Sequence, residues 1–471
     1  MRVKKTPRGI FRKVRIESMD LEAQGIARLP QYKDNPGKVA FVQGALTGEL
    51  VTYEVTREKN RFEKGKVQEI HEAAFFRKKP YCQWFGYCGG CSMQHIDMRT
   101  QIALKQRVLE DNLWHLGKVK AELLLRPIAG PQWHYRYRAR LSVVNRSIKK
   151  GTVLVGFHEQ KGAYVADMTS CEVLPKSVSE LLIHLRNLMM SMSIRDRIPQ
   201  IEVAVGERMA GENDLEGGGE TIALVLRHLL DFTSEDLECL KKFSELHHVW
   251  IWGQSKGIES VLPIYPLTGS LFYKIPEFGV TLNFLPSDFT QVNPQMNQVL
   301  VGKAIQLLGL ECGERVLDLF CGIGNFTLAL ATKVSEVLGI EGSKELTQRA
   351  QSNAHDNKLK NISFKSADLF KVDKLALLSW GVSQRWLIDP PRDGAFEIVN
   401  TLAQIKKDAL SEELLYLPKR IVYVSCNPAT LARDAGVLVH QVGYELKQAG
   451  MINMFPHTSH VESIAVFDLK I

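Results

Sequence analysis

The pattern of apolar and polar positions divides the chain into three regions. In the first, between Val14 and about Ile70, short runs rich in β-branched residues (KVAFV, LVTYEV and KGKVQEI) alternate with turn sequences such as NPG and TGE. Short strands separated by turns are typical of a small all-β fold. We therefore predict an OB-like β-barrel domain over residues 11–72.

The second and third regions differ in how strands and helices follow each other. Residues 75–265 contain strand candidates such as IEVAVGER and ETIALVLRHL on either side of AGENDLEGGGE, which we interpret as an exposed hairpin loop. Over residues 266–471, apolar runs from RVLDLF to RIVYVS alternate with helical segments. This order predicts a central α/β domain and then a Rossmann-like, doubly wound parallel sheet that binds ligands beyond the carboxyl ends of its strands.

Composition and charge agree with a multidomain protein that binds a polyanion. With 45% hydrophobic and 24% charged residues the chain is globular, and its 471 residues exceed what one core supports. Residues 1–80 contain 18 Lys or Arg against 10 Asp or Glu, so the whole net charge of +8 arises there. Seven cations precede the first acid, Glu17: Arg2, Lys4, Lys5, Arg8, Arg12, Lys13 and Arg15. Such an arm attracts RNA through counterion release, although a solvated tail is an equally good interpretation.

No segment indicates a membrane or secreted protein. No apolar run approaches the roughly 18 residues that a membrane span requires, and the N-terminus lacks the apolar segment of a secretory signal. We therefore expect a cytoplasmic protein without membrane contact, whose eight cysteines stay reduced. In such a compartment, clustered cysteines more often bind metal or do chemistry than form disulfides.

The sequence VLDLFCGIGNF, residues 316–326, ends the first predicted strand of the doubly wound sheet. Asp318 stands near the strand end, and Gly322 and Gly324 let the backbone approach a ligand closely. A dinucleotide site would usually have a third glycine, whereas Asn325 and Phe326 follow here. A cofactor without phosphates fits this turn better, and an ordinary tight turn is the alternative.

Acidic residues follow the next three predicted strands. Glu341 can accept hydrogen bonds from both ribose hydroxyls, and Asp368 stands where an adenine edge would lie. Asp389, in IDPPR, should emerge from the fourth strand beside a transferable methyl group, unless it only caps a helix. Together these acids suit S-adenosylmethionine.

Cys426, in VSCNPATLARD, follows the fifth predicted strand at a strand-to-helix turn. There the helix N-terminus and backbone N–H groups should favour the thiolate, whereas a buried filler cysteine is the alternative. Glu462, in MFPHTSHVES, precedes the last strand with His457 and His460 nearby, and a capping or ion-paired glutamate is its alternative. A thiolate that adds to C6 of uracil makes C5 nucleophilic, and a base must then remove the C5 proton.

Two further groups of residues extend the picture. Cys82, Cys88 and Cys91 form a C-x5-C-x2-C pattern and Cys171 follows, a set that suits either zinc or an iron–sulfur cluster. Between them, HYRYRARLSV predicts a strand with one cationic face, formed by His134, Arg136, Arg138 and Arg140. That face can contact RNA, and a solvated strand face is the alternative.

The motifs DLFCGIGNF, DPPR, SCNPATLARD and FPHTSHVES, in this order, resemble those of the RNA uracil-C5 methyltransferases. The likeness covers nearly the whole chain and implies an S-adenosylmethionine-dependent enzyme with Cys426 as nucleophile and Glu462 as base. It also implies cofactor or base contacts for residues at motif positions, namely Gln291 in FTQVN, Phe320, Asn325, Glu341, Asp368 and Asp389.

Two resemblances narrow the expected substrate. The sequences QGIAR and KVAFVQGALTGE resemble the TRAM domain, an OB-like RNA-binding module. Family members that act on large-subunit rRNA have a 4Fe–4S cluster on cysteines with this layout, which implies a cluster on Cys82, Cys88, Cys91 and Cys171. The expected function is therefore methylation of 23S rRNA, at uracil 1939, by a monomer.

Three alternatives remain. One is a uracil methyltransferase for tRNA or another rRNA site, and another is a non-catalytic RNA-binding assembly factor. The third is a DNA cytosine-C5 methylase, although its usual Pro-Cys nucleophile motif is replaced here by Ser-Cys-Asn-Pro.

Overall fold

A computed structural model describes residues 9–30, 37–146, 148, 151–160, 162–208, 219–311, 313–408 and 413–470. Contacts between residues divide the chain into two units. The first contains Met1–Lys105, His158–Tyr164 and Phe455–Ser459, and the second contains Gln106–Phe157, Val165–Met454 and His460–Ile471. No helix in the described ranges is both long and apolar enough to cross a membrane.

A six-stranded β-sheet forms much of the first unit. Its strands are β1 (Phe11–Arg15), β2 (Ser18–Met19), β3 (Gln24–Arg28), β4 (Val39–Gln43), β5 (Leu50–Glu58) and β6 (Phe62–Glu72). The order is β1-β5-β6-β4-β3-β2, so the two end strands of this barrel-like sheet are consecutive in the chain. Alternate residues of β5 are buried, as a strand with one core face requires. This barrel-like sheet fits the predicted N-terminal barrel, whereas Arg2, Lys4, Lys5, Arg8 and most of the NPG turn lie outside the described residues.

The second unit contains two eight-stranded sheets. The strands of the central one are β8 (Arg138–Arg146), β9 (Thr152–Gly156), β10 (Gln200–Glu207), β11 (Glu220–Arg227), β12 (Val249–Gln254), β13 (Val261–Tyr265), β14 (Leu271–Ile275) and β15 (Val280–Phe284). Strands β10 and β11 pair antiparallel, as IEVAVGER and ETIALVLRHL predict, and most of their connection lies outside the described residues. Strands β14 and β15 extend this sheet, although the predicted boundary after residue 265 assigns them to the catalytic domain.

The second sheet is the predicted doubly wound one. Its order is β18-β17-β16-β19-β20-β22-β21-β7, with strands β7 (Leu123–Leu124), β16 (Arg315–Leu319), β17 (Glu336–Glu341), β18 (Ile362–Ser366), β19 (Arg385–Ile388), β20 (Arg420–Ser425), β21 (Tyr444–Ile452) and β22 (Glu462–Leu469). The strand pairs from β18 to β20 are all parallel. The chain adds β17 and β18 on one side of β16 and then returns to add β19 and β20 on the other side, so the order of strands reverses between β16 and β19. A ligand is expected at this reversal.

Several helices have clear start signals in the sequence. They are α1 (Met98–His115), α2 (Lys176–Ser191), α3 (Ser234–His247), α4 (Pro294–Leu308), α5 (Thr327–Ala331), α6 (Lys344–Asp356), α7 (Lys374–Leu378), α8 (Phe396–Asp408) and α9 (Pro428–Val437). Asn293 and Asn427 cap α4 and α9 with their side-chain oxygens, and a proline follows each of them. Buried apolar residues from the parallel strands and from α8 and α9 form one large core.

Candidate active site

The turn after β16 has backbone conformations that favour glycine. Phe320, Gly322 and Gly324 have φ values of +64°, +56° and +96°. A Cβ at Gly324 would lie 2.3 Å from Leu328 Cδ1, so only glycine fits without rearrangement. A turn that favours glycine is therefore present at the carboxyl end of the strand, and the close approach of its backbone to a ligand stays a prediction.

Glu341, the last residue of β17, is held by two backbone groups. The Gly322 N–H donates to Glu341 Oε2 and the Ser343 N–H donates to Oε1, each at 3.0 Å. Each carboxylate oxygen retains a lone pair for a further donor. This position fits the predicted ribose contact, which stays a prediction.

Asp318 is fully buried beside this turn. Thr327 Oγ1 donates to its Oδ2 at 2.6 Å, whereas its Oδ1 has no hydrogen-bond partner among the described residues. Burial, together with the nearby carboxylates of Asp389 and Glu341, raises the pKa of Asp318 to about 8. A cationic ligand would relieve the repulsion among these three acids. S-adenosylmethionine, with its sulfonium and ammonium groups, fits such a site.

Asn325 is fixed by two side chains that the sequence analysis did not identify. Tyr273 Oη donates to Asn325 Oδ1 at 2.9 Å, and Asn297 exchanges a reciprocal pair of amide hydrogen bonds with it at 2.8 and 2.9 Å. One N–H of the Asn325 amide remains for a ligand. The partners are distant in sequence and belong to no motif, so only the fold reveals them.

The other predicted cofactor residues lie in less constrained places. The Phe320 ring contacts the Phe370 ring at 5.7 Å between centroids. Asp368 is about half exposed, accepts from the Phe370 N–H at 3.0 Å and pairs with Lys371 at 3.1 Å. Gln291 is half-buried in the loop between β15 and α4. The cofactor contacts of these residues stay predictions.

The strand register brings Cys426 and Glu462 together although 36 residues separate them. In the antiparallel pair β20–β22, Ser425 lies opposite Ser463. Cys426 follows Ser425 and Glu462 precedes Ser463, so these two residues continue the register at the carboxyl end of β20. Asp389, which follows the neighbouring strand β19, lies at the same edge.

The charged groups at this edge affect the pKa values of Cys426 and Glu462. Burial and the carboxylates of Glu462 and Asp389 raise the pKa of Cys426, and Arg392 lowers it, so that it lies at about 11. Burial also raises the pKa of Glu462 well above its usual value, with a smaller contribution from Asp389. A backbone hydrogen bond lowers the pKa of Cys426 in the direction that the sequence analysis expected, but burial and two acids outweigh it in the protein without ligands.

The loop between β19 and α8 contacts the helix that follows Cys426. Asn427 Nδ2 donates to the Arg392 carbonyl oxygen at 3.0 Å, and Thr430 Oγ1 donates to the same oxygen at 3.2 Å. The Arg392 guanidinium lies 3.3 Å from His460 Nδ1. Arg392 is thus a cation at the site that sequence analysis did not select, although it stands within the DPPR motif.

Two histidines of the C-terminal motif have different surroundings. His457 belongs to the first unit, where its N–H donates to Gln101 Oε1 at 2.9 Å and its carbonyl oxygen accepts from the Ser92 and Met93 N–H groups. These contacts give His457 a structural role there. His460 belongs to the second unit, beside Arg392.

The row of arginines around β8 makes internal contacts. Arg138 is largely buried and donates to the Pro286 carbonyl oxygen at 2.7 Å. Arg140 pairs with Glu202 at 2.8 Å, and Arg136 donates to the Arg138 carbonyl oxygen at 3.0 Å. The predicted alternation is present, but Arg138 does not belong to a free cationic face.

The predicted cluster cysteines divide between the two units. In the first unit, burial raises the pKa of Cys88, Cys82 raises it further, and the Gly90 N–H donates to Cys88 Sγ at 3.4 Å. Cys91 also belongs to this unit, whereas Cys171 belongs to the second. Within the described ranges, no group of three or more His, Cys, Asp or Glu residues could hold a metal ion. The cluster stays a prediction.

Residues 97–470 match the family model described as tRNA (Uracil-5-)-methyltransferase. The chain belongs to this family. It is also 57% identical to the 23S rRNA (uracil(1939)-C(5))-methyltransferase RlmD of Polynucleobacter necessarius, over 97% of this chain and 96% of that relative. The enzyme of the same name from Cupriavidus metallidurans is 54% identical, over 97% of this chain and 94% of the relative.

Among solved structures, the chain resembles the tRNA (uracil-54, C5)-methyltransferase of Pyrococcus abyssi in complex with S-adenosyl-L-homocysteine. The TM-score is 0.68, the sequences are 20% identical, and the match covers 97% of this chain and all of that one. At this identity the likeness establishes the fold, which agrees with the Rossmann-like sheet described above. The family membership predicted from the motifs is confirmed.

Proposed function

We propose that this chain transfers the methyl group of S-adenosylmethionine to C5 of a uracil in 23S rRNA, at position 1939, in the cytoplasm. The register that places Glu462 beside Cys426, with Asp389 at the same edge, is the main structural support. The names of the two relatives described above support the choice of rRNA and nucleotide.

The reaction begins at Cys426. Its thiolate adds to C6 of uracil, which forms a C–S bond and moves the electron pair of the C5–C6 double bond to C5 and O4. Arg392 stabilises the thiolate before addition, since it lowers the pKa of Cys426. Bound S-adenosylmethionine would supply an electrophilic methyl group to C5, and its sulfonium would leave as the neutral thioether of S-adenosyl-L-homocysteine.

Glu462 completes the reaction. Its carboxylate removes the C5 proton, the C5–C6 double bond re-forms, and the C–S bond breaks to return the Cys426 thiolate. The repulsion between Glu462 and the thiolate is mutual, so each charge disfavours the other. Addition removes the negative charge from sulfur, so this repulsion no longer opposes the Glu462 carboxylate when it acts as the base.

A direct experiment is methylation of a 23S rRNA fragment with S-adenosylmethionine that carries a tritiated methyl group. We expect tritium at C5 of uracil 1939 with the unaltered enzyme and none with Cys426→Ser. Tritium at another uracil, or in tRNA only, would contradict the proposed substrate. Full methylation by folded Cys426→Ser would contradict the mechanism.

We also propose that the N-terminal barrel is a TRAM domain that binds the rRNA. Its basic residues and its barrel sheet support this assignment. A variant without residues 1–72 should bind the rRNA fragment more weakly and with a shallower salt dependence than the full chain. Equal affinity and salt dependence would contradict an RNA-binding barrel.

Cys82, Cys88, Cys91 and Cys171 are proposed to bind a 4Fe–4S cluster. The interaction of Cys82 with Cys88 and the amide directed at Cys88 Sγ support a shared ligand in the first unit. The methyl transfer requires no electron, so a cluster would stabilise the fold or shape the RNA site. Anaerobic purification should yield about four iron and four sulfide per chain, whereas stoichiometric zinc without sulfide would contradict the assignment.

A further inference from the structure

The motif SCNPATLARD, which contains Cys426, ends at Asp434, a residue that the proposed mechanism does not use. Asp434 is fully buried on α9. Burial of a carboxylate destabilises the folded protein unless the carboxylate accepts several hydrogen bonds. The partners of Asp434 therefore indicate what it does.

Asp434 accepts hydrogen bonds from three directions. Tyr423 Oη, from β20, donates to Asp434 Oδ2 at 2.7 Å. The Ala395 N–H, from the end of the Asp389–Ala395 loop, donates to the same oxygen at 2.8 Å. Arg433 Nε donates to Oδ1 at 2.8 Å. The carboxylate therefore joins the nucleophile strand, its following helix and the loop.

The loop is bonded to α9 along its whole second half. Arg433 Nη2 donates to the Asp393 carbonyl oxygen at 2.8 Å, and Asn427 and Thr430 donate to the Arg392 carbonyl oxygen. Asn427, Thr430 and Asp434 are spaced three and four residues apart, which places them on one helix face.

Gly394 explains how the loop comes so close to the helix. Its φ is +80°, and a Cβ there would lie 2.7 Å from both Arg433 Nη2 and Asp434 Oδ2. Only glycine allows this approach without rearrangement. Both the loop, through Gly394, and the helix, through Arg433 and Asp434, therefore contribute to this contact.

We propose that Asp434 is a positioning residue, which clamps the Asp389–Arg392 loop onto the helix behind Cys426. The clamp fixes Asp389 and Arg392 relative to the sulfur. The charged groups that face Cys426 are Glu462 from β22 and Asp389 and Arg392 from the loop. Two of these three move if the loop is released, so the clamp sets both the geometry and the electrostatics of the nucleophile.

This inference rests on the proposed function. Two measurements distinguish a failure of the clamp from a failure of the proposed function. The first is the rate at which Cys426 is alkylated by iodoacetamide as a function of pH, measured on the Cys426 peptide by mass spectrometry without RNA. The second is the rate of covalent adduct formation with a 23S rRNA fragment that contains 5-fluorouracil, in the presence of S-adenosylmethionine.

Asp434→Asn places an amide N–H opposite Arg433 or the loop donors, so part of the clamp is lost. Arg433→Gln removes the bond to the Asp393 carbonyl oxygen and affects a side chain that is 42% exposed, so this variant should fold. We expect adduct formation to slow about tenfold or more in Asp434→Asn and about threefold in Arg433→Gln. The alkylation midpoint should fall in both, because release of the loop moves both Asp389, which raises the pKa of Cys426, and Arg392, which lowers it by less.

Asp468→Asn is the matched control. Asp468 binds Arg420 through both oxygens, at 2.6 and 2.8 Å, at the opposite end of β20. This variant should lose thermal stability but keep the adduct rate and alkylation midpoint of the unaltered enzyme. The clamp would be overturned if Asp434→Asn and Arg433→Gln formed the RNA adduct at rates within about twofold of the control and had the same alkylation midpoint as the control. If Asp434→Asn does not fold, the adduct rate and the alkylation midpoint of Arg433→Gln alone test the clamp. If the unaltered enzyme forms no adduct, the proposed function fails and the alkylation profiles still decide the clamp.

Discussion

Replacement of Glu462 by Gln should affect the two halves of the reaction in opposite directions. Removal of the carboxylate takes away a group that raises the pKa of Cys426, so addition to uracil should become easier. Elimination should become much slower, because the C5 proton loses its base. The variant should therefore accumulate a covalent complex with ordinary, unfluorinated RNA.

The structure sets the expected size of the effect. General-base catalysis contributes about 10²- to 10⁴-fold, which corresponds to a barrier about 3 to 5 kcal/mol higher for elimination. Glu462 is only 3% exposed, so bulk water cannot easily replace it. Asp389 is an acid that interacts with Glu462 and can replace it in part, so we expect a value near the lower limit.

Stability should change in the opposite sense to activity. Burial raises the pKa of Glu462 above its ordinary value of 4.5, so the folded protein retains a proton that the unfolded chain loses. The stability of the unaltered enzyme therefore falls as pH rises above about 4.5. Gln does not titrate, so Glu462→Gln should unfold at a higher temperature at neutral pH and at a similar temperature near pH 4.

The assay is gel electrophoresis of the enzyme with radiolabelled rRNA and S-adenosylmethionine, together with tritium release from C5-labelled uracil. Glu314→Gln is the control, since Glu314 is also buried and loses an ion pair of 2.9 Å with Arg385. It should release tritium at a normal rate. Tritium release by Glu462→Gln within tenfold of the unaltered enzyme, with no covalent complex, would refute the assignment of the base.

Three further predictions concern the free enzyme and its cofactor. Alkylation of Cys426 should have a midpoint near pH 11, and Glu462→Gln should lower that midpoint, as measured with iodoacetamide. Binding of S-adenosylmethionine should release protons near pH 7, because burial raises the pKa of Asp389 to about 7 and a cationic ligand lowers it again, as calorimetry in buffers of different ionisation enthalpy can measure. Tyr273→Phe should weaken S-adenosylmethionine binding about fivefold with little change in kcat, because Asn325 loses one of its fixing hydrogen bonds.

The two predictions that concern the cofactor each have a control. S-adenosyl-L-homocysteine lacks the sulfonium charge, so it should release fewer protons than S-adenosylmethionine. Tyr444→Phe removes a comparable buried hydroxyl, which donates to the Pro418 carbonyl oxygen at 2.7 Å, and should leave cofactor affinity unchanged. Equal proton release by the two ligands would contradict the predicted change in the pKa of Asp389. Equal effects of Tyr273→Phe and Tyr444→Phe on cofactor affinity would contradict the predicted role of Tyr273. An unchanged alkylation midpoint in Glu462→Gln would contradict the predicted influence of Glu462 on Cys426.

The sequence allowed prediction of features that depend on short stretches of chain. Strand ends and tight turns are local, so Glu341, Asp389 and Cys426 could be placed at the carboxyl edge of a doubly wound sheet. Spacing of three and four residues after Asn427 could also have revealed the helix face that ends at Asp434.

Features that depend on distant residues could not be predicted in this way. Tyr273 and Asn325 are 52 residues apart, and no local pattern relates them. The internal contact of Arg138 with Pro286 spans 148 residues, so strand alternation alone suggested a free cationic face. The raised pKa of Cys426 likewise depends on burial and on acids from two other strands.

The central claim is that Cys426 adds covalently to C6 of the target uracil. The most direct test is incubation of the enzyme with S-adenosylmethionine and a 23S rRNA fragment that contains 5-fluorouracil, followed by peptide mapping. Fluorine at C5 cannot leave as a proton, so elimination is blocked. We predict a stable complex that contains the transferred methyl group and is linked through Cys426. A complex linked through another residue, or no complex from folded enzyme that binds the cofactor, would contradict the account.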